Sequence, residues 1–242
     1  MRQRPPIFPS HLFPDDESEI VNLIQGQLMA LGSLRDNFRD ALALHDHCLG
    51  PIAQLSELAC QTNGKEMLRH IDALRVWKYW RTLAFRDGAR VLYLVSTIFE
   101  DLTKVISLTT VFNGRVLHKT KRAASSHLRQ CFPGIEHLRH AGAHTHELVS
   151  TLADLKKHSV IGPRDDGQIQ VATGASLYIG ERVNGRRYGT TAVGQEFSYE
   201  LSSQSLCQIE EVIQEYWQAF RPAEELGDHL QQPGPPSRPK PD

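Results

Sequence analysis

The segment HLRHAGAH, residues 137–144, places three histidines and one arginine within eight positions. An imidazole can bind a metal ion or move a proton near neutral pH, and a guanidinium can stabilise a phosphate on which charge is building. Three interpretations are open: a metal site, a polar helix surface, or the reactive group of a metal-free nuclease.

The first interpretation is metal binding. On a helix, His137, His140 and His144 occupy positions i, i+3 and i+7 and form one stripe, and His146 or Glu136 could supply a fourth ligand. The HExxH pattern, which carries its own general base, is absent from the sequence. Three ligands within two helical turns seldom converge on one ion. We therefore expect no metal ion and no other cofactor.

The second interpretation is a polar helix surface. Its histidines would pair with Glu136, Glu147 or the carbonyl groups at the helix end. This is the commonest role of histidine on such a helix, and it places His137 on the surface.

The third interpretation combines Arg139 with His144, an R-x4-H pair. A histidine can take the proton of a ribose 2′-hydroxyl while an arginine stabilises the adjacent phosphate, which is RNA cleavage by transesterification without a metal. On an ideal helix, five residues at about 100° each leave the two side chains about 140° apart. Gly142 could loosen the turn, and a second copy of the chain could bring two pairs together across an interface.

A basic window lies beside this segment. The sequence holds no aspartate or glutamate from Leu102 to Ile135. Such a window favours a polyanion through phosphate contacts, unless Glu17, Glu19 or the acidic residues of the last predicted helix neutralise it. The residues predicted to bind the nucleic-acid backbone are Arg115, Lys119, Lys121, Arg122 and Arg129, and the window also holds Lys104, His118 and His127.

Apolar residues recur three and four residues apart through most of the chain, which is the spacing of amphipathic helices. Asp15, Asp16 and Ser18 can cap the first helix, and Pro133-Gly134 can open the helix that carries the histidine segment. The predicted helices cover about residues 20–50, 51–60, 67–108, 121–131, 133–157 and 202–220.

The pattern changes between Gly167 and Glu200, where polar and apolar residues alternate. Asn184-Gly185 separates two such runs and predicts a β-hairpin, so we expect three or four antiparallel strands. The fold class is therefore mainly α, an up-and-down helical bundle with a small antiparallel β-hairpin or meander inserted before the last helix. The predicted organisation is a flexible N-terminus at residues 1–15, one helical domain at 16–221 with the β-insert at about 167–200, and a disordered proline-rich tail at 222–242.

Composition excludes several classes of protein. The formal net charge is −1 and 40% of the residues are hydrophobic, so neither a generally basic nucleic-acid binder nor a membrane protein is expected. The N-terminal residues have no apolar stretch of the signal-peptide type, and Cys48, Cys60, Cys131 and Cys207 are too scattered for a disulfide or zinc framework. We expect a cytoplasmic protein with reduced thiols.

The segment LRHAGAH resembles the signature of the HEPN superfamily (higher eukaryotes and prokaryotes nucleotide-binding). That signature is an arginine followed four to six residues later by a histidine, often with a polar residue directly after the arginine. Arg139, His140 and His144 match these positions. The resemblance covers about residues 67–157 and the last helix, and it leaves the predicted strands at 167–200 without a template.

The resemblance implies a helical bundle that forms a homodimer, with the two motifs facing each other in a cleft. Many members are metal-independent endoribonucleases of toxin–antitoxin, phage-defence or RNA-processing systems, whereas others only bind nucleotides or hold partner proteins. Some members place an acidic residue and a lysine on an earlier helix near the site. By analogy, Glu100, Asp101 and Lys104 are accessory candidates.

The sequence thus predicts a HEPN-like, metal-independent endoribonuclease. Arg139 would stabilise the phosphate, His144 would act as general base or acid, and His140 would assist. Its expected partners are RNA or a nucleotide, a second copy of the chain, and a cognate antitoxin or other partner protein. The alternative is a catalytically silent helical dimer that binds nucleotides or RNA or holds a partner protein.

Overall fold

A computed structural model of the chain describes residues 4–8, 13, 15–112, 114–144, 150–165 and 170–224. The described part is mainly helical, with short antiparallel strands before the last helix, as the sequence predicts. The helices are α1 (Asp15–Gln61), α2 (Gly64–Ile106), α3 (His118–Cys131), α4 (Ile135–His144), α5 (Leu152–His158) and α6 (Ser203–Gln218).

Within the described ranges, no helix combines the length and the apolar character that a bilayer-crossing segment requires.

The first helix is longer than predicted. The sequence predicts a break before Pro51, but Pro51 lies inside α1, which continues to Gln61. A proline removes one backbone donor from the helix. The helix tolerates this loss because residues on the preceding turns, such as Phe38 and Cys48, are fully buried and anchor it.

The single helix predicted over 133–157 is also wrong, because α4 ends at His144 and α5 begins at Leu152. Thr151 starts α5 with a reciprocal capping box, in which its hydroxyl accepts from the Asp154 amide and the Asp154 carboxylate accepts from the Thr151 amide, each at 3.1 Å. This pairing satisfies amide groups that the first turn leaves without partners, so a new helix begins there. Residues 145–149 lie outside the described part.

The strand region contains more strands than predicted. A three-stranded antiparallel sheet has the order β5–β6–β7, and two further pairs join β1 to β4 and β2 to β3. Pairs of two-residue strands carry too little alternation to be recognised in a sequence. The strands are β1 (Val160–Ile161), β2 (Arg164–Asp165), β3 (Gln170–Val171), β4 (Ser176–Leu177), β5 (Arg182–Asn184), β6 (Arg187–Ala192) and β7 (Gln195–Glu200).

Two tight hairpins set the register of the larger sheet. Asn184 pairs with Arg187, so the predicted hairpin exists and its two-residue loop is Gly185-Arg186, with Gly185 at φ 55°. The second loop is Val193-Gly194, and both residues have positive φ, 47° and 74°. Positive φ at both loop residues is the geometry whose twist matches paired strands.

The chain forms two compact units from interleaved segments. Unit 1 comprises Met1–Ser33, Ser96–Leu128 and Glu210–Asp242, and unit 2 comprises Leu34–Val95 and Arg129–Ile209, each as far as it is described.

Aromatic residues of α2 and α6 form the centre of unit 1. Tyr216 stacks on Phe99 with 3.8 Å between ring centroids, and the indole of Trp217 donates to the Leu28 carbonyl at 3.1 Å. Residues 4–8, which the sequence assigns to a flexible N-terminus, pack on this unit. Phe8 is buried against Phe112 and its amide donates to Gln25.

In unit 2 the three-stranded sheet packs against α2 and α4. Tyr188 of β6 stacks on Phe85 at 5.9 Å, and the Tyr199 hydroxyl donates to the Phe85 carbonyl. A side chain at Gly88 would collide with the Tyr199 hydroxyl, so this glycine permits the close contact between helix and sheet.

Candidate functional site

Helix α4 presents the histidine segment from one side of unit 2. Ile135, Leu138 and Ala141 are buried and form its apolar face, whereas Arg139 is half-buried and His140 is exposed. Gly134 precedes the helix at φ 69°, and a side chain there would overlap the ring of Phe197 from β7. The start of α4, and therefore the direction of Arg139, depends on this glycine.

The guanidinium of Arg139 lies over the ring of Tyr93 from α2, with its central carbon 4.8 Å from the ring centroid. This is the geometry of a cation–π contact, which fixes the plane of the guanidinium without consuming its N–H donors. Among the described residues, no carboxylate pairs with Arg139. Its donors are therefore available to an anionic ligand.

A cavity of about 570 Å³ lies beside this arginine. Its size is that of a small-molecule or nucleotide site. The lining carries three arginines together with one tyrosine and two leucines, a combination that suits phosphate oxygens and the face of a base. The lining residues are Leu83, Arg86, Asp87, Arg90, Tyr93, Leu94 and Arg139.

The strand region holds one of these arginines in place. Glu181 accepts from Arg86 through both oxygens, at 2.7 Å and 2.6 Å, and also accepts from the Tyr188 hydroxyl at 3.0 Å. The hydrogen bond to Glu181 raises the pKa of Arg86, and burial raises that of Tyr188. Arg86 is thus held in one position in the cavity lining, and Glu181 balances its charge.

Arg90 is also paired, since its guanidinium contacts the Asp87 carboxylate at 2.9 Å. Of the three cavity arginines, Arg139 alone lacks a carboxylate partner within the described residues. The net positive charge of the cavity lining is therefore concentrated at the arginine of the R-x4-H motif.

His137, which the sequence interpretation placed on the surface, is half-buried. Its ring lies 4.6 Å from that of Phe197 at an interplanar angle of 33°. Burial lowers the pKa of His137, and the nearby His158 and His140 lower it further, while Glu136 opposes the shift. His137 thus packs α4 against β7 through its contact with the Phe197 ring.

His140 and His144 lie in the second half of α4. His140 is exposed on α4, close in sequence to Arg139. His144 is the last residue of α4, and its side chain lies outside the described part of the structure. Whether Arg139 and His144 converge thus stays a prediction.

The residues of the basic window do not share one environment. Arg115, Lys119 and Arg122 are exposed in unit 1, and Arg129 is exposed in unit 2, which also carries Arg139. The exception is Lys121, predicted to bind a nucleic-acid backbone, which is only 4% exposed. Its position on the buried face of α3, beside Ala124 and Leu128, removes it from the exposed basic surface.

Acidic side chains contact some residues of the basic window. Glu215 of α6 contacts His127 at 3.1 Å. Glu17, another of the candidates, accepts hydrogen bonds from Thr109 and from both the amide and the hydroxyl of Thr110.

The accessory candidates lie near the end of α2. Lys104 donates to Asp101 at 3.1 Å, and Glu100 is exposed. All three belong to unit 1, whereas Arg139 belongs to unit 2.

Metal ligation finds no support in the part of the chain that the structure describes. There, no group of three or more histidine, cysteine, aspartate and glutamate side chains could hold an ion. Cys48, Cys60, Cys131 and Cys207 are free thiols.

Sequence reasoning missed Arg86, Arg90, Tyr93 and Glu181. The arginines stand four residues apart, and Tyr93 follows three residues later, so all three share one helix face. That spacing is a usable signal. Glu181, which lies 95 residues from Arg86, gives none.

No protein-family model matches the chain, and neither does any curated protein or solved structure. The residues themselves therefore carry the functional proposal.

Proposed function

We propose that the chain is a HEPN-like, metal-independent endoribonuclease whose reactive pair is Arg139 and His144. One observation carries the proposal: Arg139 lies on the wall of an arginine-lined cavity, held over Tyr93 and without a carboxylate partner among the described residues. The contact with Tyr93 orients the half-buried guanidinium and leaves its N–H donors for a ligand. An unpaired, oriented guanidinium suits the phosphate of a bound ligand.

The proposed reaction is transesterification at a ribose. His144 takes the proton of the 2′-hydroxyl, and the 2′-oxygen attacks the adjacent phosphorus. The bond from phosphorus to the 5′-oxygen breaks, and that oxygen leaves as a hydroxyl after receiving a proton from an imidazole, with His140 assisting. Arg139 donates to the non-bridging oxygens as negative charge builds on them. The products are a 2′,3′-cyclic phosphate and a 5′-hydroxyl end.

Exposed cations would add contacts to the RNA backbone. Arg115, Lys119, Arg122 and Arg129 are exposed and can contact backbone phosphates, which gives affinity without sequence preference. Glu100, Asp101 and Lys104 are accessory candidates in this proposal.

A homodimer is part of the proposal, because Arg139 and His144 stand about 140° apart on an ideal helix and a second copy can supply the missing partner. Mixed dimers of Arg139→Ala and His144→Ala chains should then recover part of the activity that each variant lacks. A cytoplasmic location and a partner protein that restrains the nuclease, such as an antitoxin, belong to the same proposal.

The direct test is RNA cleavage by the purified chain in EDTA. Wild type should cut, and Arg139→Ala and His144→Ala should lose the activity. Arg69→Ala and His70→Ala are matched controls, because they remove the same side chains from α2 outside the cavity lining. Equal cleavage by wild type and all four variants would show that Arg139 and His144 do not carry the activity.

The same cavity supports a second candidate, a catalytically silent nucleotide- or RNA-binding dimer. Three arginines around a tyrosine can bind a nucleotide without any proton transfer. In that case Arg139→Ala weakens binding, wild type leaves RNA intact, and His144→Ala has no effect on either measurement.

A further inference from the structure

A second cavity, of about 430 Å³, lies in unit 1 and is lined by Thr103, His118, Lys121, Arg122 and Ser125. The lining combines one lysine, one arginine and one histidine with two hydroxyl groups, and it includes no aspartate or glutamate. None of its residues lines the Arg139 cavity. Its chemistry points to an anion.

Lys121 is the unusual member of this lining. It is 4% exposed, yet its ammonium has no hydrogen-bond or ion-pair partner among the described residues. Most of the Lys121 side chain is buried while its charge is unpaired, and burial together with the charge of Arg122 lowers the pKa of Lys121. A bound anion would pair with the ammonium in the cavity and favour its charged form.

The two hydroxyl groups of the lining already donate hydrogen bonds within the chain, so the basic side chains are the groups that can bind an anion. The Thr103 hydroxyl donates to the Phe99 carbonyl at 2.7 Å, and the Ser125 hydroxyl donates to the Lys121 carbonyl at 3.1 Å. Their hydrogens are therefore already used. His118 and Arg122 are exposed and form the solvent side, or entrance, of the cavity, whereas the Lys121 side chain is nearly buried.

We infer that this cavity binds the terminal phosphate of a nucleotide, either a free nucleoside monophosphate or the 5′ end of an RNA chain. A terminal phosphate can enter with the rest of the ligand on one side, whereas an internal phosphodiester has chain on both sides and cannot reach a buried lysine. The volume exceeds that of a phosphate group and falls in the range of small-molecule sites. The inference goes beyond cleavage at Arg139, since a chain that cuts no RNA can still bind phosphate here.

The test compares probes that differ only in the phosphate, using the full chain. AMP and adenosine are titrated calorimetrically, and a short RNA with a 5′-phosphate or a 5′-hydroxyl is followed by fluorescence anisotropy. At least one pair should bind about tenfold more tightly with the phosphate, as expected for a charge-assisted contact. A preference confined to AMP identifies a free nucleotide as the ligand, and a preference shared by the RNA identifies an RNA end.

Three variants locate the site. Lys121→Met keeps the length of the buried side chain without its charge, and Arg122→Met removes an exposed cation from the entrance; both should abolish the phosphate preference. Lys65→Met removes one exposed lysine charge from α2, outside the lining of both cavities, and should keep it. The inference is overturned if neither probe pair depends on the phosphate, or if the preference survives in both cavity variants while they melt like wild type.

Discussion

Replacing Arg139 by alanine should change both the affinity for RNA and its dependence on salt. Arg86 and Arg90 are paired with Glu181 and Asp87, so they add little net charge to the cavity. Arg139 is the unpaired arginine of the lining within the described residues. Its removal should therefore eliminate one phosphate contact, together with the counterion that this contact releases on binding.

The magnitude follows from that single contact. For single-stranded nucleic acid, the slope of log K against log salt concentration should become shallower by about 0.7. A hydrogen bond to a charged group contributes about 1.5–3 kcal/mol, so binding at low salt should weaken roughly ten- to hundredfold. Tyr93→Leu should weaken binding about two- to fivefold through the lost cation–π contact and leave the slope unchanged.

The assay is fluorescence anisotropy of a short single-stranded RNA over a series of salt concentrations. Arg69→Ala is the control, because it removes an exposed arginine 17 residues before Arg86 on the same helix. At 1.5 Å per residue that separation is about 25 Å, beyond the screening length of about 10 Å. Equal slopes for both variants, or an Arg139→Ala slope identical to that of wild type, would refute the assignment of Arg139 to a phosphate.

Three further predictions concern residues that position the candidate site. Gly134→Ala should lower the free energy of unfolding by about 2 kcal/mol or more in urea titrations, because a left-handed backbone disfavours alanine and Phe197 fills the space; an unchanged midpoint would contradict this. Glu181→Gln should lower the free energy of unfolding by about 1–3 kcal/mol, because Arg86 loses its ion pair. A melting temperature like that of wild type would contradict this prediction. Burial lowers the pKa of His137, so the folded chain binds that proton less readily than the unfolded chain, and acidification below about pH 6.5 should destabilise wild type more than His137→Gln. Parallel urea midpoints for the two proteins across that range would exclude this role of His137.

Local patterns in the sequence predicted much of the fold because helices and hairpins are set by near neighbours. The three- and four-residue spacing indicated the helices, and Asn184-Gly185 marked a hairpin that the structure contains. The pair Thr151 and Asp154, three residues apart, is a comparable local signal for the start of α5. Without this signal, the apolar spacing alone predicts one helix where the structure has two.

The candidate site was less predictable because its contacts join distant segments. Arg86 meets Glu181 across 95 residues, and Arg139 meets Tyr93 across two helices. The burial of Lys121 had a local signal, since Lys121, Ala124 and Leu128 share one face of α3. A lysine on the apolar face of a helix can line a cavity and need not lie on the exposed surface.

The measurement closest to the central proposal compares one RNA sequence in its ribose and 2′-O-methyl forms, with EDTA present. The 2′-oxygen is the proposed nucleophile, so wild type should bind both forms, cut the ribose form alone, and leave 2′,3′-cyclic phosphate and 5′-hydroxyl ends that mass spectrometry identifies. The His144→Ala chain should bind both forms and cut neither. Cleavage of the 2′-O-methyl form, or an intact ribose form after prolonged incubation with wild type, would contradict the proposal.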